Sequence, residues 1–233
     1  MGEIEIFEPI HEIQTKEIVN YIHLEMLELG YDSPTSIEDC VMIYELVAGM
    51  GHQTPQKGVC LDLGTFYGYS ALTMAMALKR SRFYEAPVYT VDAYHPQESW
   101  LEHQPFPFAY DIHDYVKAQD KSVWVRGLAY HLGLEDYLCQ VICDSISFLK
   151  QFKYPVRIAF VDDSHDASTV TTEINLLWAI LEKRGWLIFH DYEEPHIPES
   201  HIQVKRVVDM FMERQRDILK ILKCGNCIAI QKG

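Results

Sequence analysis

The sequence predicts an α/β fold: a doubly wound, mostly parallel seven-stranded sheet with an antiparallel C-terminal hairpin strand and an N-terminal helical addition. Three observations predict it. From residue 58 onward, short apolar runs alternate with helix-length segments, the pattern of βαβ units and a parallel sheet. Runs such as 58-GVCLD-62 and 156-VRIAFVD-162 are near-continuously apolar, as strands covered on both faces are. The 233 residues contain no internal repeat, low-complexity tract or clear linker, so one domain is expected over residues 51–233, with residues 1–50 as a helical addition or lid.

The elements follow in order. In residues 1–50, Ile13, Ile18, Tyr21, Ile22 and Met26, then Val41, Tyr44, Leu46 and Val47, recur near helical spacing. Gly30 and 31-YDSPTS-36 separate two helices, and Ser36 with Asp39 has the pattern of a capping box. Strands are expected at 58–62, 88–92, 139–144, 156–162 and 186–191. Helices are expected at 69–80, around 114–132, at 146–152, 168–183 and 201–216. The segment 218-ILKILKC-224, a Gly225-Asn226 turn and 227-CIAIQ-231 read as a closing hairpin, which makes the last strand antiparallel. Cys224 and Cys227 would face each other across it. Their CxxC spacing also suits a redox or metal site, but no second CxxC or HxxxH pair accompanies it. Of the six cysteines, several lie in apolar runs, where a free thiol behaves as a small hydrophobe.

Twenty basic and 34 acidic side chains give a net charge of -14, which argues against a nucleic-acid backbone or an anionic membrane as the main partner. No apolar run approaches the roughly 18 residues that span a bilayer. The acidic start, MGEIEIFEPI, lacks the basic and apolar regions of a signal peptide. A cytoplasmic protein is the expectation.

Five strands end in aspartate: Asp62, Asp92, Asp144, Asp162 and Asp191. Ligands of open α/β sheets bind outside the carboxyl ends of the strands, so five acids should gather along one rim. Crowded carboxylates raise one another's pKa unless cations or donors lie among them, which implies a polar ligand rich in hydroxyl or amine donors, or a metal. A strand-end aspartate can equally cap the next helix. In 62-DLGTFYGYS-70, Gly64 and Gly68 flank the first strand-to-helix turn, where glycine permits positive φ and close ligand approach; tight strand–helix packing is the competing use. The spacing is neither the GxGxxG of a dinucleotide site nor a P-loop. Asp92 is placed to accept both hydroxyls of a ribose.

The pattern D-x-G-x-x-x-G-x-S, an aspartate ending the second strand and C-D-S after the third resembles class I S-adenosylmethionine-dependent methyltransferases. The segments 161-VDDSHDASTVTTEI-174 and 185-GWLIFHDY-192 resemble the VDGDHSYEGV and GGLIVxDDY segments of the small-molecule O-methyltransferase-like branch, which includes macrolide-sugar O-methyltransferases. The resemblance covers residues 36–192. It implies S-adenosylmethionine as cofactor and a small-molecule acceptor. Asp62, Gly64, Thr65, Tyr67, Gly68 and Ser70 would cradle its methionine part, Asp92 and Ala93 the ribose, and Asp144 and Ser145 the adenine. Asp162 and Asp191 would lie at the reacting end, with His165 as the catalytic base beside Asp162. Some relatives hold a divalent metal there, magnesium or similar, and Asp162, Asp191 and His190 are the candidate ligands here. Three residues depart from the pattern: Asp163 replaces a glycine, Ser164 an aspartate, and His190 an acid. An acid lost at 190 weakens the case for magnesium, which prefers oxygen; a histidine suits a softer ion.

Residues 94–124 carry seven aromatic side chains and Pro96, Pro105 and Pro107, which fits a loop lining the acceptor pocket; contact with a second copy of the chain is the competing use. Two other functions remain open at this point: a nucleotide-sugar or dinucleotide enzyme on a similar sheet, and a non-catalytic module that keeps the cofactor fold.

Overall fold

The computed structural model describes residues 4–28, 33, 35–50, 58–81, 86–93, 121–193 and 203–233. Its strands are β1 (Ile4–Ile6), β2 (Val59–Leu63), β3 (Val88–Asp92), β4 (Leu138–Ile142), β5 (Val156–Val161), β6 (Leu181–Phe189), β7 (Ile218–Cys224) and β8 (Cys227–Lys232). The helices are α1 (Glu12–Glu28), α2 (Ile37–Gly49), α3 (Tyr69–Ser81), α4 (Lys121–His131), α5 (Ser145–Gln151), α6 (Ala167–Ile180) and α7 (Val204–Arg214). One sheet holds all eight strands in the order β1-β7-β8-β6-β5-β2-β3-β4. Every pairing is parallel except those of β8 with β6 and with β7.

Both faces of the sheet are covered, which explains the unbroken apolar strands: β2 and β5 are buried throughout. On one face, α1, α2, α3 and α4 pack through Val19, Ile22, Met42, Leu72 and Leu128 onto Cys60, Ile158, Phe160 and Ile188. On the other, α5, α6 and α7 pack through Leu149, Ile174, Leu177, Val208 and Phe211 onto Leu61, Ala159, Leu187 and Ile230. Alternate residues of the central strands β2, β5, β6 and β8 therefore serve opposite cores.

Three features differ from the expectation. The sheet has eight strands, because Ile4–Ile6 pairs in parallel with Ile221–Lys223 at the far edge; an alternation of only three residues is too short to stand out in the sequence. The first fifty residues are accordingly not all helical. The helix expected to reach residue 183 stops at Ile180, because buried Leu181 turns extended and pairs with Val156. The hairpin forms as read, with Cys224 opposite Cys227 and both thiols free. No described helix is long and apolar enough to cross a membrane. Most of the aromatic 94–124 segment, residues 94–120, lies outside the described residues.

Where β2 gives way to α3, Gly64 and Gly68 take φ of +88° and +89°. A Cβ on Gly64 would stand 2.2 Å from the carbonyl oxygen of Asp162, so the β2 and β5 ends can approach this closely only with glycine there. Gly64→Ala combines a disfavoured φ with a backbone clash and should cost about 1–3 kcal/mol or more of stability, read from the midpoint of chemical denaturation.

Candidate active site

The carboxyl ends of β3, β2, β5 and β6 lie side by side, and their aspartates have separate tasks. Asp62, fully buried, accepts from Ser70 Oγ and Thr90 Oγ1, each at 2.6 Å. The Thr90 proton is thereby used, so Thr65 donates to Thr90 across 2.5 Å. Burial pushes the Asp62 carboxyl up to about 7, against these two hydroxyl donors. Asp92 accepts from the Phe66 backbone N–H at 2.8 Å. Phe66 has φ +47°, a strained value for a bulky residue, and this contact fixes the turn. Tyr67 stacks edge-on against Phe66, and Ala93 directly follows β3.

Asp144 is an exposed helix cap that accepts from the Ser147 N–H at 2.8 Å, and that bond holds its carboxyl below the ordinary range. Buried Ser145 opens α5 behind it. Asp166 caps α6 through the Ser168 and Thr169 N–H groups, which with Ser164 bring its pKa down to about 2. The chain between Asp162 and Asp166 is not helical, so Asp162 and His165 meet through a bend and not through helical spacing.

They meet at Asp191. His165 Nε2 lies 2.5 Å from Asp191 Oδ2, and ligand atoms of Asp162, His165 and Asp191 all fall within 4.8 Å of one another. Asp191 has φ +53°, a conformation that aspartate tolerates better than most residues. Directly behind stands His190, 3% exposed. Its Nδ1 is 3.0 Å from Asp191 Oδ1 and 3.4 Å from Asp162 Oδ1, and its Nε2 is 3.6 Å from Asp39 Oδ2. These contacts are ion pairs without aligned hydrogen-bond geometry. Asp39, from α2, is fully buried and also accepts from Ser36 Oγ at 2.6 Å and the Asn226 N–H at 3.1 Å.

Burial favours a neutral His190, but Asp162, Asp191 and Asp39 outweigh it and hold its pKa well above the usual histidine value. Burial likewise lowers the pKa of His165, and Asp191 and Asp162 reverse the sign, leaving it raised. Burial would raise the pKa of Asp191; His165 and His190 outweigh it and hold the carboxyl well below the normal range. Asp39 follows the same logic with His190 and Ser36 as partners.

The donors do not suit a hard divalent ion. Magnesium takes near-octahedral oxygen coordination, whereas one member of the Asp162–His165–Asp191 group is an imidazole and both oxygens of Asp191 already face histidines. Among the described residues, the other group with metal-ligand spacing is Asp39, His190 and Cys227, which is buried and whose His190 lies against Asp162 and Asp191. The glycines of the Gly64–Gly68 turn serve close packing: a Cβ on Gly64 would meet the Asp162 backbone, and one on Gly68 would stand 3.0 Å from the Val125 side chain.

Three residues escaped the sequence reading. Asp39 reads as a cap, which it is, and nothing local reveals its second partner. Lys121, 7% exposed, lies with Nζ 4.0 Å from the centre of the Phe66 ring; burial lowers its pKa and Asp92 opposes that. Glu173 is fully buried beside Ser145 and Asp163, and burial pushes it up to about 8 against the Ser145 hydroxyl. It is the single charged residue in α6, a signal visible in the sequence.

A family model described as a methyltransferase domain matches residues 61–192. Among solved structures, an O-methyltransferase of Streptomyces achromogenes involved in tomaymycin synthesis, in complex with SAM, is similar at 15% identity and a TM-score of 0.58, covering 93% of this chain and 90% of its own. An O-methyltransferase of Bacillus cereus in complex with SAH matches at 16% identity and a TM-score of 0.58, with 94% and 91% covered. An SAH-bound methyltransferase of Podospora anserina matches at 13% identity and a TM-score of 0.62 over 100% of both chains.

The two raised histidines fix a pH dependence. Between a histidine's unfolded pKa, about 6.5, and its higher folded value, the native state holds more protons than the unfolded state, so stability falls as pH rises. The histidines' share of the unfolding free energy should therefore decrease from about pH 6.5 upward, and His190→Gln should flatten that part of the slope, as followed by urea denaturation at a series of pH values.

Proposed function

The chain belongs to the methyltransferase-domain family of class I S-adenosylmethionine-dependent enzymes, and we propose that it methylates a hydroxyl group of a small molecule with His165 as the base. The observation that carries this reading is the His165–Asp191 contact at the carboxyl end of β6, beside the glycine turn.

Bound cofactor supplies a methyl group already activated by a sulfonium. What remains for the protein is to align the two reactants and take the acceptor's proton. Alignment can supply several kcal/mol, about 7–11 at best. In this reading the Gly64–Gly68 turn, with Thr65, Tyr67 and Ser70, receives the methionine part. Asp92 and Ala93 receive the ribose, Asp92 accepting from its hydroxyls while it fixes the turn through the Phe66 N–H. Asp62 acts one layer behind, bracing Ser70 and Thr90 so that the turn keeps its shape. Ser145, at the buried start of α5, borders the adenine, with Asp144 at the exposed rim.

At the reacting end, the His165 Nε2–H donates to Asp191, which orients the ring, and the other nitrogen, Nδ1, receives the acceptor's proton. Asp162 supports the imidazolium that forms. A base with its pKa near the working pH is the most effective, and the raised pKa of His165 moves it in that direction from the ordinary histidine value. The strongly negative chain fits an uncharged or cationic acceptor better than an anionic one.

The test separates binding from chemistry. Isothermal titration should show S-adenosylmethionine and S-adenosylhomocysteine binding to the full chain, and His165→Ala should bind both nearly as well. Across a panel of hydroxylated acceptors, the same substitution should lower turnover roughly 100- to 10,000-fold, the range for loss of a general base. Unchanged turnover removes His165 from the base role; no cofactor binding by the wild-type chain sinks the reading.

A further inference from the structure

We propose that Lys121 is a second ribose-binding residue: its ammonium group donates to a hydroxyl oxygen of the cofactor's ribose, while Asp92 accepts the ribose protons. The inference rests on the methyltransferase reading and adds a residue which that reading leaves unused.

Lys121 opens α4 and is 7% exposed. A lysine is almost never buried this far unless it is paired. Yet its Nζ makes no hydrogen bond or ion pair among the described residues; its contacts are with aromatic faces, 4.0 Å from the centre of the Phe66 ring and 5.2 Å from that of Tyr67. A ring face attracts a cation, but the ammonium still has three N–H donors to satisfy. A buried donor without an acceptor costs free energy, and a polar ligand oxygen at this turn would remove that cost. Asp92 attracts the ammonium without closing on it as an ion pair.

The side chain is held in place. Val125, one helical turn on and fully buried, lies where a Cβ on Gly68 would stand 3.0 Å from two of its carbon atoms. Phe66 is fixed by its own N–H, which donates to Asp92 at 2.8 Å. Lys121, Phe66 and Asp92 therefore form one unit at the carboxyl end of β3.

A ribose diol matches that unit. Each hydroxyl carries one proton and two lone pairs. A carboxylate can take the proton but cannot serve the lone pairs, which need a donor in a closed site. Neighbouring donors are committed: Ser70 and Thr90 to Asp62, Thr65 to Thr90, and the Phe66 N–H to Asp92. The ammonium of Lys121 is not.

The test compares cofactor analogues and needs no turnover. The full chain, as wild type and as Lys121→Met, is titrated calorimetrically with S-adenosylhomocysteine, its 2′-deoxy and 3′-deoxy analogues, and its decarboxylated analogue. For at least one deoxy analogue, the ratio of its Kd to that of S-adenosylhomocysteine should be roughly 10- to 100-fold smaller in Lys121→Met than in the wild type, the range for a hydrogen bond to a charged group. A lysine that only packs α4 onto the turn would weaken every ligand alike and leave the ratios unchanged, which overturns the inference. So does a ratio that collapses for the decarboxylated analogue alone, since that places Lys121 at the methionine carboxylate. Lys121→Gln carries the same comparison if Lys121→Met does not fold. The wild type also decides by itself: if it binds both deoxy analogues as tightly as S-adenosylhomocysteine, the inference fails. S-adenosylhomocysteine binding is scored first. Its absence in the wild type refutes the methyltransferase reading, whereas its presence with unchanged ratios refutes only the role of Lys121.

Discussion

One buried ring holds the rim of this sheet together. His190 touches carboxylates from three parts of the chain: Asp39 of α2, Asp162 after β5 and Asp191 after β6. Buried charges are tolerated only when paired, and removing one partner of such a set leaves the others uncompensated. The first two helices are thus joined to the rim by charge as well as by the shared apolar core. The same Asp39 receives the Asn226 N–H, and the turn residue Gly225 lies so close that a Cβ there would stand 2.5 Å from Asp39 Oδ1. Helix cap, hairpin turn and strand end therefore meet on one carboxylate.

The remaining aspartates show how a row of chemically identical side chains divides its work. Asp62 is fully buried and braces the hydroxyls of Ser70 and Thr90. Asp92 holds the strained Phe66 by its N–H. Asp144 caps a helix at the surface. Asp162 and Asp191 face the histidines. Burial and the nearest donor decide among these roles, and neither is written in the residue type.

That is also where legibility in the sequence ends. Element identity was readable because unbroken apolar runs and turn residues act locally: 218–231 forms the hairpin that its Gly225-Asn226 turn demands. The edge strand Ile4–Ile6 was not, since its pairing with β7 spans most of the chain. Within the site, the convergence of strand-end acids follows from topology alone, and so does the pairing of Asp162 with a histidine. The nature of the link does not. Asp162 and His165 are three residues apart, yet they meet through a bend that ends at the Asp166 cap and not on a helical face. His190 next to Asp191 looks in the sequence like one more ligand; only the arrival of Asp39, some 150 residues away in the chain, places a carboxylate on its far side.

The arrangement Asp39–His190–Asp191–His165 alternates in charge from the N-terminal helices to the carboxyl end of β6, and its order has a consequence for His165. Asp191 and Asp162 both raise the pKa of His165, and His190 opposes them. Two unscreened carboxylates beside a histidine would hold it protonated through neutral pH, and a protonated imidazole cannot accept a proton. The inner histidine thus does more than balance buried charge: it opposes the rise in the His165 pKa that Asp191 and Asp162 produce.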